Sequence, residues 1–152
     1  MSATMANVPV HHIMTTGPVA VRPDTPVGEL LALFERHDFN ALPVTDETAT
    51  LLGIVTKLDL LRVLRPDAAG RFPDGAEVAA MRTVEVMRPG VLSLEGAQPV
   101  AVAADLMVET GLRSLPVVVR GGGRPTLVGM VSRGDVLRGL RQELQVSMPP
   151  PA

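Results

Sequence analysis

Thr56 and Asp59, in the stretch GIVTKLDLLRVL (53–64), have near copies in Ser132 and Asp135 of GMVSRGDVLRGL (129–140). A hydroxyl followed three residues later by a carboxylate is the pattern of a capping box at a helix N-terminus, here with Asp where Glu or Gln is usual. The same residues suit a second chemistry. A helix start offers unpaired N–H groups and a positive dipole end to a phosphate, and Lys57 and Arg133 add a cation directly after each hydroxyl. A carboxylate one turn inside can accept hydrogen bonds from both hydroxyls of a ribose. Spacing alone leaves helix capping and phosphate-plus-ribose binding standing side by side.

The elements that must position these residues are themselves duplicated. Met14 falls on Met87, Pro26 on Pro99, Leu33 on Leu106, and LPV at 42–44 on LPV at 115–117. Past those segments the match continues with Gly53 on Gly129 and Asp59 on Asp135, the second copy carrying extra residues in its RGGGRPT stretch. Within the first copy, 19–22 (VAVR) alternates like a short strand. A helix is expected next, with Thr25 as N-cap, Pro26 at its first position, and Val27, Leu30, Leu31 and Phe34 on one apolar face. NALPVTD and TLLGIVT read as two hairpin strands, and a helix over 57–64 completes a strand, helix, strand, strand, helix unit. The second copy repeats this order with VLSL, a helix over 99–110, SLPVVV, TLVGMVS and a helix from Arg133 to about Val146. Two features differ: LEGAQP supplies no Thr or Asp cap, and Gly134 puts a poor helix former in the first turn.

The expected division is a first repeat at 10–64, a linker at 65–82 with a short helix in AEVAAM, a second repeat at 83–146, and a disordered tail at 147–152. Neither half hides its apolar faces alone, so both are expected to pack as one unit.

Composition narrows the chemistry. The 152 residues include no cysteine, which removes thiol nucleophiles, thiolate metal sites and disulfides and suits a reducing cytoplasm. A net charge of -2, with three Phe and no Trp or Tyr, argues against nucleic acid. No apolar run reaches membrane-span length, and the lead-in before Arg22 lacks the basic and apolar regions of a secretory signal. His11 and His12 have no neighbouring acidic or thiol ligands, so no metal site is expected. Gly121 to Pro125 lacks the Gly-Lys-Ser/Thr ending of a phosphate loop and reads as a hairpin loop. No nucleophile, metal set or acid–base pair marks an enzyme.

The order IM, TPV, LL, LPV, LLGIVT and DLL, present twice, resembles the CBS domain, named for cystathionine beta-synthase. The resemblance runs from about Val10 to Leu140. It implies an α+β fold of two β-α-β-β-α repeats packed about a pseudo-twofold axis, with clefts between the repeats for adenosine-containing ligands. AMP, ADP, ATP or S-adenosylmethionine would serve as regulatory ligand, with no required cofactor. Carried over, Asp59 and Asp135 hold ribose, and Thr56 and Ser132 lie near phosphate beside Lys57 and Arg133. The first cleft's wall falls on Thr16, Val19, Phe39, Asn40 and Ala41. The second falls on Pro89, Leu92, Leu112, Arg113 and Ser114, where Arg113 can reach a phosphate and Asn40 cannot, so the two clefts are expected to be unequal. The implied role is a nucleotide sensor that changes conformation to regulate a separate protein. The alternative is a structural or dimerisation module without a nucleotide. A homodimer is expected through the apolar residues of both C-terminal helices, Leu58, Leu60, Leu61, Val63 and Leu64 in one copy and Val136, Leu137, Leu140 and Leu144 in the other.

Overall fold

The computed structural model describes residues 7–147, and side chains through Gln142. Of the expected tail at 147–152, Ser147 ends a helix, and the remainder, like the side chain of Leu144, lies outside the described residues. The chain forms two compact units, one made of Val19–Val91 and the other of Met1–Pro18 with Leu92–Ala152.

In the contiguous unit, α1 (Val27–Arg36) precedes the antiparallel strands β2 (Ala41–Thr45) and β3 (Leu51–Thr56) and the helix α2 (Lys57–Val63). β1 (Thr15–Thr16) belongs to the other unit, with β4 (Leu94–Glu95), α5 (Val100–Thr110), β5 (Ser114–Gly121), β6 (Arg124–Ser132) and α6 (Arg133–Ser147). Two short helices, α3 (Gly75–Ala80) and α4 (Thr83–Val86), occupy the stretch between α2 and β4. Val27, Leu30 and Phe34 bury one face of α1 against Leu42, Val44, Val55 and Leu60, as the helical spacing predicts. Leu31 departs from that expectation and is 46% exposed. The second core gathers Leu94, Ala103, Met107, Leu115, Val117 and Val131 around Val10.

Each unit borrows the lead-in of the other repeat. The turn Val10–His12 and strand β1 precede the first copy, yet Val10 N–H donates to Gln98 O (2.8 Å) and β1 pairs with β6, Thr15 opposite Met130. In the matching place, Thr83 N–H donates to Thr25 O (2.9 Å), and Arg88 and Ile54 exchange backbone bonds of 3.1 and 2.9 Å. The second unit's sheet has the order β1-β6-β5-β4. The contiguous unit repeats that order around β2 and β3 with single bridges at Val21–Val44 and Ile54–Arg88.

This exchange explains why both motifs begin with glycine. A Cβ on Gly53 would lie 2.8 Å from Arg88 O and 2.9 Å from Met87 Sδ; on Gly129 it would lie 2.5 Å from Met14 Sδ and 3.0 Å from Thr15 O. Beside each glycine the hairpin register slips by one residue, between Val44 and Thr45 and between Val117 and Val118. Glycine and bulge together let the borrowed backbone approach.

Several local expectations are corrected. VAVR contributes one bridge at Val21, because Pro18 and Pro23 bracket it without N–H groups. Pro26 takes the N-cap position of α1, while Thr25 Oγ1 accepts from Arg22 N–H (3.0 Å). Gln98 Oε1 accepts from Glu95 N–H (2.7 Å) at the matching place, so LEGAQP does supply the turn-closing acceptor. The extra residues of the second copy lengthen its ladder, which reaches Gly121 opposite Arg124 and turns through Gly122 and Gly123, φ 62 and 82. Two left-handed residues in succession fit a tight hairpin turn and demand glycine.

Candidate functional site

Thr56 ends β3 in an extended conformation (φ -110, ψ 165), which turns its hydroxyl back over the first turn of α2. Thr56 Oγ1 accepts from Asp59 N–H (3.2 Å), and Asp59 Oδ2 accepts from Thr56 N–H (2.8 Å) and Thr56 Oγ1 (3.0 Å). The second copy reproduces the box: Asp135 N–H donates to Ser132 Oγ (3.1 Å) and Ser132 N–H to Asp135 Oδ2 (2.8 Å). The capping pattern is therefore real in both copies, and it buries both carboxylates, Asp59 to 4% and Asp135 to 6% exposure.

A buried carboxylate needs cations or donors on its remaining oxygen. Arg62 Nη1 donates to Asp59 Oδ1 at 3.3 Å and Arg88 Nε donates to the same oxygen at 2.7 Å. Asp135 Oδ1 takes Arg138, the counterpart of Arg62. The counterpart of Arg88 is Thr15, which makes no hydrogen bond to Asp135 among the described residues. Arg88 escapes sequence reasoning because its partner lies across the borrowed lead-in; its one signal is its place directly after Met87, in register with Thr15 after Met14.

Strand register brings the wall residues to the motif. Ala41 stands opposite Thr56, and Ser114 opposite Ser132. Phe39 and Asn40 are half-buried just before β2, with Phe39 stacked on His37 at 4.7 Å between ring centroids. Leu112 is half-buried and Arg113 exposed just before β5. Val19 is 41% exposed in the contiguous unit and Leu92 45% exposed in the other. Thr16 is not brought to Thr56 within either unit: it pairs with Gly129, because its strand is the one exchanged.

The two cations that follow the hydroxyls differ. Lys57 is exposed and makes no ion pair among the described residues. Arg133 has backbone partners of its own. Its Nη2 donates to Gly111 O (2.8 Å) and its Nε to Leu112 O (3.3 Å), because α5 ends at a left-handed Gly111 and leaves carbonyls that attract a cation. Above that contact an open groove of about 430 Å³ runs between α5 and α6, walled by Met107, Val108, Val136 and Leu137. His11 Nδ1 lies 2.8 Å from Gly96 O, and among the described residues no group of three acidic, His or Cys side chains could hold a metal.

Comparison with known proteins gives consistent matches. The CBS domain model matches residues 10–66 and 84–142. The CBS domain-containing protein CBSX1, chloroplastic, of Arabidopsis thaliana is 30% identical over an alignment of 141 positions that covers 80% of this chain and 58% of that protein. This chain thus spans little over half of that relative. The crystal structure of CBSX2 in complex with AMP superposes with TM-score 0.72 at 29% identity, covering 92% of this chain and 98% of that one. The CBS domain pair of protein MJ0100, in complex with 5′-methylthioadenosine and S-adenosyl-L-methionine, superposes with TM-score 0.67 at 25% identity, covering 86% and 97%.

Proposed function

Because this chain belongs to the CBS-domain family, we propose that it is a non-enzymatic regulatory module that binds an adenosine-containing ligand and passes the change to a separate protein. The ligand is AMP, ADP, ATP or S-adenosylmethionine. Its ribose meets Asp59 or Asp135, and its phosphate or other charged group meets the Thr56 or Ser132 helix start, with Lys57 or Arg113 as the cation. The observation that carries this reading is the twice-built helix start: a buried carboxylate, a hydroxyl at its cap, and the residue before each LPV strand held opposite that hydroxyl by register. The AMP-bound relative supports the ligand class. The lack of cysteine fits work in the cytoplasm, and among the described residues no helix is long and apolar enough to cross a membrane. Isothermal titration calorimetry with the four compounds tests it: at least one is expected to bind saturably, and silence from all four would refute it.

A second reading is a purely structural module, favoured by how fully protein donors occupy Asp59. Under either reading the chain forms a homodimer through α2 and α6, where Leu58, Leu61 and Leu64 are 52, 60 and 49% exposed and Leu137 and Leu140 are 63 and 41% exposed. Light scattering is expected to give twice the chain mass for the wild type and the single-chain mass for the double substitution Leu61→Glu, Leu137→Glu.

A further inference from the structure

Resting on the adenosine reading above, we infer that the chain holds one ligand and not two: Arg88 commits Asp59 to a structural role, and Asp135 alone receives the ribose. An ionised carboxylate offers about four acceptor positions. At Asp59 all are taken, two on Oδ2 by the Thr56 N–H and hydroxyl and two on Oδ1 by Arg62 and Arg88. A diol needs two acceptors, so it would have to evict donors that neutralise a side chain only 3% exposed. The strongest of them, the Arg88 contact at 2.7 Å, sits on backbone that Ile54 holds with two hydrogen bonds. Arg62, 54% exposed on its own helix, can swing away as Arg138 can, but a diol would also have to displace Arg88, which reaches Asp59 from a separate segment and makes its shortest contact.

Asp135 has a different set of donors. Ser132 N–H and Arg138 fill two positions, and among the described residues no other donor reaches it. Arg138 is 67% exposed and reaches Asp135 from its own helix, so it swings into solvent without moving any backbone. The difference traces to one position in the duplicated lead-in, Arg88 in one copy and Thr15 in the other. Asp59 thus pins the Met87–Arg88 segment to its unit, while Asp135 keeps two acceptor positions for a ligand.

Calorimetry with AMP on the full chain reads this as a stoichiometry. The wild type is expected to bind one AMP per chain. Asp135→Asn is expected to weaken binding about tenfold or more, and clearly more than Asp59→Asn does. Two AMP per chain, or an equal loss at Asp59→Asn, overturns the inference. Should Asp135→Asn not fold, amide chemical shifts of the wild type titrated with AMP decide the same point: changes at 132–135 support it, and equal changes at 56–59 overturn it. The Arg88–Asp59 anchor is read without ligand from a double-mutant cycle of Arg88→Gln and Asp59→Asn in urea. A coupling of about tenfold in the unfolding constant is expected, and additivity refutes the anchor. No binding of AMP, ADP, ATP or S-adenosylmethionine by the wild type, with the coupling present, refutes the adenosine reading and leaves the anchor standing; where another of the four binds and AMP does not, that compound replaces AMP in the stoichiometry and the variants.

Discussion

Replacing Gly53 by alanine adds one methyl group where the structure has no room for it. The new Cβ would stand 2.8 Å from Arg88 O and 2.9 Å from Met87 Sδ. The thioether can swing aside, but the carbonyl belongs to backbone held by two hydrogen bonds to Ile54. Relief therefore means displacing the Met87–Arg88 segment, at an overpacking cost of about 1 to 3 kcal/mol and a further ~1 kcal/mol for each hydrogen bond lost. Alanine restricts the unfolded chain and returns only about 0.4 to 1 kcal/mol. The net expectation is a loss of about 2 kcal/mol. At Gly129 the first obstacle is Met14 Sδ at 2.5 Å, the end of a flexible side chain, and the backbone oxygen of Thr15 is more distant at 3.0 Å. That substitution is expected to cost about 1 kcal/mol. Urea unfolding followed by circular dichroism measures both, with equal m-values required for the comparison. A Gly53→Ala variant within about 0.5 kcal/mol of wild type, below the effects just weighed, or one less destabilised than Gly129→Ala, refutes the close-approach argument.

Two further substitutions probe neighbouring features. Thr83→Val keeps the shape of a fully buried residue but removes the 2.7 Å hydroxyl bond to Thr25 O, which retains the Thr83 N–H; a loss of about 1 kcal/mol is expected by thermal or urea unfolding. Arg133→Ala removes two bonds to the carbonyls that end α5, and a comparable loss of about 1 kcal/mol, with faster amide exchange at 111–113, is expected.

The order of elements was legible because hydrophobic period and duplication act locally. Val27, Leu30 and Phe34 at helical spacing bury as their period demands, and the two hairpins lie where apolar runs flank turn residues. The capping boxes were equally legible, since a Thr or Ser three residues before Asp needs only its own turn to form. What sequence could not supply is pairing across distance. Nothing local says that Thr16 lines up with Gly129 and not with its own repeat, or that Arg88 closes on Asp59. Arg133 shows the same limit: its position at a helix start suggested a phosphate cation, while the carbonyls of Gly111 and Leu112 claim it through a contact that exists only in the folded unit.

The exchanged lead-ins also set an order of assembly during synthesis. The unit of Val19–Val91 is one continuous stretch, so its core can close as soon as Arg88 has left the ribosome. The other unit joins residues as far apart as Thr15 and Met130, and it must wait for β6, the last strand made. Closing that long loop carries the larger entropic cost and slows the step. Until then the turn around Val10, whose side chain is fully buried in the finished unit, travels with its apolar surface uncovered, so a segment made before the Val19–Val91 unit gains its protection only after that unit can already have closed.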